Sequence, residues 1–365
     1  MNPFFKRIFI NLQYSTAIFF IAFNPTIRGE TYYVCPNGQG EDGKSWQTAF
    51  TSIQNAVDFS VDGDMIIVTN GVYSSIVTYS KRIRIQSVNG ASVTIIDGIS
   101  PDGTVTNRCA KLSDGFTPIE QSTNTVLSGF TLRNGVALSS PVVVLVAPFD
   151  NMDDAITAVY ENRSGGGVYG GTLEFCVITN NIAINGGGAC KSRLINCFII
   201  GNKANNGGGL YGGGYAENCL IIKNHAILGG GISNTFVINC TISKNTASIS
   251  GAGIGSGIIK NTICWGNILD DGITLSNYII ETNPLFSYSC TTPLPYSKIE
   301  KNNITQDPLF MDSENDNFTL QTNSPCIDTG NFFSVYPHFL IDLNGHPRLQ
   351  GKAVDMGAFE FTPIE

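Results

Sequence analysis

The chain has 365 residues, enough for two ordinary domains or one elongated domain. It contains 40 glycines but only 14% charged residues, which is atypical of a compact α/β enzyme and typical of a chain with many turns. Its formal net charge of -8 argues against nucleic acid, and against an anionic membrane surface, as the main partner.

Residues 1–29 are predicted to be a secretory signal peptide. Lys6 and Arg7 provide a basic start, and a short apolar run follows them. Asn11 and Gln13 interrupt this run, which disfavours the alternative, a membrane anchor of ~20 apolar residues. No second apolar segment occurs downstream, so we expect an exported protein whose mature chain has no integral membrane segment.

Residues 30–135 are predicted to form an N-terminal cap and irregular first coils. Thr51 and Gln54 have the spacing of a capping box, and apolar residues around them recur at helical spacing. The sequence therefore predicts a short amphipathic helix that covers the open end of a solenoid. Strands are expected around the stretches DMIIVTNG, KRIRIQS, SVTIIDG and NTVLSGFTLRNG.

Residues 136–164 are predicted to be a side insertion. Phe130, Leu132 and Asn134 match the Cys, Ile and Asn positions of the repeat that follows, yet Phe130 precedes Cys176 by 46 residues, about 25 more than one coil. Insertions into repeat proteins usually map to one face, often the binding face. We therefore expect this segment to leave the solenoid between two coils.

Residues 165–267 carry a repeat with a period of 21 or 22 residues and the pattern C-x-I-x-x-N-x-A before a glycine run. A fixed period of this length indicates a solenoid, and Ile, Val, Thr, Asn and Gly favour strands and turns. We predict an all-β fold, a single-stranded right-handed parallel β-helix, with equivalent positions stacked ~4.8 Å apart. The glycine runs begin at Gly165, Gly186, Gly207, Gly229 and Gly251.

Stacking gives each repeated position a column, and the glycines supply backbone conformations that a side chain would forbid. An apolar column is predicted inside the coils at Ile178, Ile199, Ile221, Ile242 and Ile263. A small-residue column is predicted at Ala183, Ala204, Ala226 and Ala247. Turn positions that tolerate left-handed backbone, with amides stacked in hydrogen bonds, are predicted at Asn181, Asn202, Asn224 and Asn245.

The ten cysteines fall into two groups. Four form a column whose side chains point the same way rather than toward each other, which predicts buried reduced thiols at Cys176, Cys197, Cys219 and Cys240. A disulfide remains open, with no pairing assigned, among Cys35, Cys109, Cys190, Cys264, Cys290 and Cys326.

Residues 268–365 are predicted to form less regular coils and a segment that closes the C-terminal end. The stretches NPLF and DPLF mark turn-then-strand steps. This region holds 13 acidic residues against 4 Lys or Arg, whereas residues 165–267 hold 2 acidic residues against 6 Lys or Arg. The charge asymmetry is therefore a basic middle and an acidic end.

Three stretches carry a resemblance to known proteins. The opening YYVCPNGQGEDGKSWQTAFTSIQNAVD resembles exported bacterial right-handed β-helix proteins of the pectin-lyase-like superfamily. The stretches NFTLQTNSPCIDTG and IDLNGHPRLQGKAVDMGAFEF resemble the choice-of-anchor Q region, and the glycine coils are similar to polymorphic outer-membrane-protein repeats. The resemblance implies a location in the extracellular space or on the outer-membrane surface of a bacterium. Such proteins usually carry a sorting segment after this end, whereas the sequence stops at Glu365, so we expect release or another mode of anchoring.

Four basic side chains are the candidates for catalysis. A lyase needs a base and a cation that neutralises a uronate. Lys191 and Arg193 follow a glycine triplet, where they could contact an anionic sugar, and Lys223 and His225 lie together beside the Asn column. The alternative for all four is a solvated turn residue, because a functional base also needs positioned partners.

Two acidic stretches contain candidate ligands for a cation. Asp150, Asp153 and Asp154 in the insertion form the densest acidic cluster beside the coils, and their carboxylates could ligate Ca²⁺. The alternative is that they favour the N-terminus of a short helix. The stretch DSENDN, residues 312–317, begins like an EF-hand loop but lacks its glycine and its final glutamate, which argues against a metal site.

Two functions follow as hypotheses. The main one is a secreted or cell-surface, adhesin-like interaction protein that binds glycan or a surface partner along its strand faces, as a monomer and without a cofactor. The alternative is a polysaccharide lyase or glycoside hydrolase that acts on an acidic polysaccharide. A hydrolase of this fold needs grouped carboxylates, and the coils offer only Glu174 and Glu217, at positions predicted to be non-equivalent.

Overall fold

The computed structural model describes residues 29–99, 103, 108–113, 125–138, 159–295, 302–331 and 341–362. Three long parallel sheets dominate this part of the chain, and each coil passes through sheet 3, sheet 1 and sheet 2 in that order. Connections between parallel neighbours in one sheet take the right-handed sense. The fold is a right-handed parallel β-helix, as the sequence predicts.

The strands of each sheet stack in parallel register. In the described residues, sheet 1 consists of Thr31–Val34, Met65–Val68, Arg84–Ser87, Val126–Ser128, Thr172–Glu174, Arg193–Ile195, Tyr215–Glu217, Thr235–Ile238, Gly257–Lys260 and Leu285–Ser287. Sheet 2 consists there of Gly71–Tyr73, Thr94–Asp97, Thr131–Arg133, Val177–Thr179, Phe198–Ile200, Leu220–Ile222, Thr241–Ser243, Ile263–Trp265 and Cys290–Thr291. Sheet 3 consists there of Ile76–Val77, Ala110–Lys111, Val168–Tyr169, Ala189–Cys190, Leu210–Tyr211 and Ile232–Ser233.

Shorter strands complete the described architecture. Two small parallel sheets lie at the corner after sheet 2. One consists of Val136–Ala137 and Ile182–Ala183, and the other of His225–Leu228, Thr246–Ser250 and Ile268–Leu269. An antiparallel pair beyond the last coil joins Phe310–Asp312 with Asn317–Leu320. The small-residue column predicted at this corner is confirmed where Ala226 pairs with Ala247.

The apolar column inside the coils is confirmed for four of its five predicted members. Ile178, Ile199, Ile221 and Ile242 stack in register and are buried. The fifth member is wrong, because Ile242 pairs with Cys264 and Thr241 pairs with Ile263. The last step of the column is therefore 22 residues, and the alternation of a strand turns the side chain of Ile263 outward.

The column cysteines are buried thiols, as predicted. Cys176, Cys197, Cys219 and Cys240 lie in the same core as the apolar column. All ten cysteines are described and all are free, so the disulfide left open in the sequence is absent from these residues. Burial raises the pKa of Cys176 well above its ordinary value, which keeps this thiol protonated and unreactive.

The asparagines that recur every 21 or 22 residues form a buried ladder of side-chain amides. After the first rung, Asn181, the side-chain oxygen of each asparagine accepts two hydrogen bonds from the asparagine before it, one from the backbone N–H and one from the side-chain amide. Asn224 Oδ1, for example, accepts both from Asn202 at 2.9 Å. The predicted amide stacking is therefore confirmed. The predicted left-handed backbone is wrong by one residue: it belongs to the preceding position, at Asn180, Gly201, Lys223 and Lys244.

The glycine runs have two separate physical reasons. The first glycine of each run has φ between 60 and 66°, the left-handed region that favours glycine. The second glycine packs against the next coil, since a Cβ at Gly187 would lie 2.3 Å from the Lys203 carbonyl oxygen. The runs are one corner of the coil, repeated.

The N-terminal helix Ile53–Phe59 is confirmed, but its cap differs. Ser52 is the N-cap, and its hydroxyl accepts from the Asn55 N–H at 3.1 Å. The capping box predicted at Thr51 and Gln54 is wrong, because the Gln54 amide instead exchanges hydrogen bonds with the backbone of Val77. The helix contributes Ile53 to the core at the first coils.

The register across the insertion follows the predicted coil. Leu132 pairs with Ile178, which places these residues in adjacent coils despite the extra residues between them. Asn134 is not a rung of the ladder: its φ is 59°, and the N–H of Gly135 donates to Asn181 at 2.8 Å in the place where a rung would stand. Residues 139–158 of the insertion lie outside the described residues.

The C-terminal segment, residues 302–331 and 341–362, first stacks on the last coil, where Ile304 pairs with Cys290, and then packs along the side of the solenoid. Its Leu343 and Phe359 join a hydrophobic cluster with Phe198 and Leu220, which point outward from sheet 2. Hydrogen bonds fix the contact, for example from the Ala358 N–H to the hydroxyl of Thr241 at 3.1 Å. This segment covers the outer face of sheet 2 and leaves other faces available for a site.

No helix within the described ranges combines the length and the apolar character that a bilayer crossing requires. Residues 1–28 of the predicted signal peptide lie outside those ranges.

Candidate functional site

The outward-facing side chains of sheet 1 form the candidate site. Leu194 and Ala216 point into the core and are buried. Because strand side chains alternate, the residues that precede them point outward, and Arg193, Tyr215 and Phe236 pair in register along one row. Three neighbouring coils therefore present a cation and two aromatic rings in line.

These residues and Lys260 form a stack along the solenoid axis, which we call the aromatic–cation stack. The Tyr215 and Phe236 rings lie nearly parallel, at 9°, with centroids 5.3 Å apart. The Arg193 guanidinium lies 5.2 Å from the Tyr215 centroid, and the Lys260 ammonium lies 5.5 Å from the Phe236 centroid. Each ring is thus covered by a cation on its outer face, an arrangement stabilised by the ring quadrupole.

The stack carries two cations and lies beside one buried carboxylate, that of Glu217. Its rings stand face to face along the axis, so their edges, which carry the positive part of the quadrupole, point outward. The two cations are three coils apart, about 14 Å at the spacing of neighbouring strands. A strip with this distribution of charge suits a ligand that carries repeated anionic groups.

Tyr215 is held as a neutral phenol. Its hydroxyl donates to the Glu217 carboxylate at 2.9 Å. Burial, and then the negative charge of Glu217, raise the pKa of Tyr215. The side chain therefore serves to orient the stack and is not a general base near neutral pH.

The two glutamates of the coils correct a sequence expectation. Glu174 and Glu217 both pair with Ile195, so they occupy equivalent positions two coils apart, contrary to the prediction. They still do not form an acid–base pair. Glu217 has no exposed surface, and Glu174 accepts from Arg84 at 2.8 Å. A glycosidase needs both carboxylates to reach the sugar, which this arrangement does not allow.

Lys191 and Arg193 lie on the two sides of one corner of the coil. Arg193 begins a strand of sheet 1, and Lys191 follows a strand of sheet 3. The Lys191 ammonium lies 5.1 Å from the ring centroid of Tyr160, which belongs to the end of the insertion. The structure therefore brings this predicted pair together at a single corner.

Lys223 and His225 lie at a different corner, after sheet 2, and face other partners. Lys223 pairs with Asp316 of the C-terminal segment. His225 Nδ1 lies 3.0 Å from the Thr246 hydroxyl and 3.4 Å from an oxygen of Asp270. The four basic candidates consequently do not converge on one reacting atom, and the interpretation of His225 as a free turn residue is replaced by a half-buried, hydrogen-bonded one.

The predicted cation sites receive no support from the described residues. Asp150, Asp153 and Asp154 lie outside them. Asp316 is buried and binds Lys223 and Lys244. Within the ranges that the structure covers, no group of three or more His, Cys, Asp and Glu side chains is arranged to hold a metal ion.

The sequence analysis missed Tyr215, Phe236 and Lys260. A signal was present: Arg193, Tyr215 and Phe236 each precede the apolar-column residue of their own coil by six positions. The repeat is defined by positions that hold the same residue in each coil. The row of Arg193, Tyr215 and Phe236 holds a different residue in each coil, so it gives no such signal. Only the register of sheet 1 shows that they stand side by side.

Solved structures with a similar fold include, by their names, a pectate lyase, a pectin methylesterase and a rhamnogalacturonan lyase. Pectate lyase Pel9A is 15% identical, with 93% of this chain and 98% of that chain covered and a TM-score of 0.46. Pectin methylesterase PemA from Erwinia chrysanthemi is 11% identical, over 80% and 98%, with a TM-score of 0.38. A rhamnogalacturonan lyase is 10% identical, over 78% and 91%, with a TM-score of 0.35. At these identities the likeness concerns the fold.

No protein-family model matches the chain, and no curated protein matches it. The choice-of-anchor and outer-membrane repeat resemblances therefore stay predictions.

Proposed function

We propose that the protein binds an acidic polysaccharide along the outer face of sheet 1. The observation that carries the proposal is the aromatic–cation stack, in which Arg193 and Lys260 flank two parallel rings on neighbouring coils. A polysaccharide is a repeating ligand, and a solenoid offers repeating positions at a fixed spacing. The cations at the two ends of the stack can each pair with a carboxylate of the polysaccharide.

The same face argues for binding ahead of hydrolysis. Its two carboxylates are occupied by Arg84 and Tyr215, so neither is placed as an acid or a base. The names of the structural neighbours are consistent with an acidic polysaccharide as the ligand, but the proposal rests on the face itself. Cleavage by β-elimination is the alternative function, and ultraviolet absorbance of the binding mixtures measures it.

The test uses sodium polygalacturonate as the probe, with titration calorimetry at low salt. We expect binding that weakens as salt rises, and a loss of about tenfold in affinity for Arg193→Ala and for Lys260→Ala. Lys203→Ala is the matched control, because Lys203 is exposed and lies at the corner after sheet 2. Equal losses in the control, or no binding to the polymer, would refute the proposal.

Ultraviolet absorbance of the unsaturated product, followed in the same mixtures, distinguishes a binder from a lyase. A growing signal that Arg193→Ala reduces would assign the protein to the lyases. A constant signal, with binding retained, would assign it to the interaction proteins.

Export is proposed as the setting of this function, since residues 1–29 have the composition of a secretory signal. Fractionation of cells that express the full chain tests it. The expected result is mature protein outside the cytoplasm, shortened near residue 29, and an uncleaved cytoplasmic chain would contradict it.

A further inference from the structure

The corner that joins sheet 3 to sheet 1 carries one exceptional residue. Lys191 has a φ of 51°, a left-handed conformation that residues other than Gly, Asn and Asp rarely adopt. The register makes Gly170 and Gly212 its equivalents in the two adjacent coils. Both of those glycines also have positive φ. A lysine in a position that the neighbouring coils fill with glycine indicates a role for its side chain.

The Lys191 ammonium is oriented by two aromatic rings. It lies 5.1 Å from the Tyr160 centroid and 5.7 Å from the Tyr169 centroid. Gly212 makes room for this arrangement, since a Cβ there would lie 2.7 Å from the Tyr160 hydroxyl. The cation is therefore held in one place on the outer face of sheet 3 instead of extending freely into solvent.

The two lysines at the corner after sheet 2 offer an internal comparison. Lys223 and Lys244 also have left-handed backbone, and both bind the buried carboxylate of Asp316. Within the described residues, Lys191 makes no ion pair with a carboxylate, and its ammonium instead lies near the two rings.

The surroundings of Lys191 carry an excess of positive charge. Arg108 and Lys111 lie on the same side of the corner, and the Arg108 guanidinium lies 5.3 Å from the Tyr169 ring centroid. Both cations pair with one carboxylate, Glu161, which lies 3.7 Å from Arg108. Among the described residues of this cluster, three cations thus face one anion, and an anionic group is the ligand that balances them.

We propose that Lys191, positioned by the rings of Tyr160 and Tyr169, forms a second subsite for the acidic polysaccharide, continuous with the aromatic–cation stack around this corner. The proposal rests on the proposed function. Arg193 follows Lys191 by two residues, a backbone distance of at most about 7 Å, so both cations can meet anionic groups of one saccharide chain. The saccharide then crosses from sheet 1 to sheet 3, transverse to the solenoid axis.

The corner is built to keep the two subsites in a fixed relation. Ser192, between them, is buried, and its hydroxyl donates to the Gly170 carbonyl oxygen at 2.9 Å. A rigid corner lets the second contact form without a new loss of freedom, so a chain long enough to reach both subsites binds more tightly than a short one.

The experiment compares a galacturonic acid trimer with a polymer of at least ten units, using the full chain and Lys191→Gly. Glycine suits the left-handed backbone, so this variant folds and its melting temperature stays the same or rises. We expect Lys191→Gly to leave the affinity for the trimer unchanged and to weaken binding of the longer chain about tenfold. Lys191→Arg, which keeps the charge, should restore most of that affinity.

Three outcomes would overturn this subsite. They are unchanged binding of the longer chain by Lys191→Gly, an equal loss for the trimer and the longer chain, or a melting temperature lowered by several degrees, which would make Lys191 a structural residue. Arg193→Ala separates the two proposals. If it weakens neither saccharide, the proposed function fails. If Lys191→Gly weakens binding in that case, the ligand lies on sheet 3 alone, and the path around the corner is wrong.

Discussion

The glycine coils, residues 165–267, and the C-terminal segment, residues 302–331 and 341–362, are stabilised in different ways. In the coils the core contacts are repeated, so Ile221 packs between Ile199 and Ile242 as those residues pack with their own neighbours. The C-terminal segment makes each of its contacts once, on the outer face of sheet 2. Damage to the coils is therefore expected to spread along the axis, whereas damage to the segment is expected to stay local.

The two regions also bury polar groups differently. The coils bury mainly uncharged asparagine amides that satisfy one another from rung to rung, and Glu217 is their one fully buried carboxylate. The C-terminal segment buries two titratable carboxyl groups, those of Glu360, which lies 3.1 Å from the Arg348 guanidinium, and Asp355. The stability of the coils should consequently depend little on pH, and that of the segment should depend on it strongly.

The largest effect is expected from a charge in the repeated core. Ile221→Asp places a carboxylate with no partner in a fully buried column, which should destabilise the coils by about 5 kcal/mol and abolish cooperative unfolding. Circular dichroism during thermal unfolding is the measurement. His225→Ala is the control and should change stability by no more than about 1 kcal/mol, because its partners at the corner are partly solvated. Similar losses in the two variants would show that the register is wrong.

A smaller but still large effect is expected from one rung of the ladder. Asn224→Ala removes the acceptor of two donors of Asn202 and the donor to the Ile199 carbonyl. The loss of these three buried hydrogen bonds should reduce the free energy of unfolding by about 4 kcal/mol, although the Asn202 amide keeps its hydrogen bond to the Ile178 carbonyl. Urea titration measures it, and Asn205→Ala, at an exposed position, should stay within about 0.5 kcal/mol. An unchanged midpoint for Asn224→Ala would mean that water replaces the rung.

The periodic sequence of residues 165–267 made their coils predictable. The C-terminal segment has no period, so its contacts could not be predicted. The columns at Ile178 and Asn181 follow from a period that recurs within each coil. The period fails where a coil gains one residue, so Ile263 was placed where Cys264 stands. It also carries no information about Lys223 and Asp316, which are 93 residues apart and meet only because the segment folds back.

The candidate site was predictable in part for the same reason. Lys191 and Arg193 were found because they follow a glycine run, whose position the repeat defines. Tyr215 and Phe236 share a row with Arg193, but they are of different types, and the row exists only through pairing in sheet 1. A mixed row of this kind is a tertiary property, which a search for identical residues does not detect.

The pH dependence of the C-terminal segment should be the next effect in size. Burial raises the pKa of Glu360 to about 8, outweighing Arg348, and burial also raises the pKa of Asp355. When the pKa of an acid is higher in the folded state than in the unfolded state, its protonated form stabilises the fold. This stabilisation is complete below the pKa of the unfolded state and is lost as pH rises through the pKa of the folded state. His346, whose pKa is raised by Asp342, acts in the same direction. Stability should therefore fall on the order of 3 kcal/mol between pH 5 and pH 8.

Hydrogen exchange at several pH values can assign this loss to the segment. Glu360→Gln should flatten the pH dependence for residues 341–362 and leave exchange in the coils unchanged. Asp271→Asn is the control, because hydrogen bonds from Thr274 lower the pKa of Asp271 and confine its titration to more acidic conditions. A slope that persists in Glu360→Gln would show that another group titrates.

The smallest effect is expected where the segment is tied to the coils by charge. Asp316 is buried and accepts from Lys223 and Lys244, which project from adjacent coils. Asp316→Asn keeps the shape but removes the charge, and should cost about 2 kcal/mol because two lysines then lose their counter-ion. Limited proteolysis should show faster cleavage within residues 302–331, while the melting temperature of the coils stays the same. Glu314→Gln is the matched control, since Glu314 is exposed and meets Lys244 only through its backbone carbonyl. If Asp316→Asn lowers the melting temperature of the coils as well, the segment and the solenoid unfold as one unit, and the contrast between a spreading and a local response does not hold.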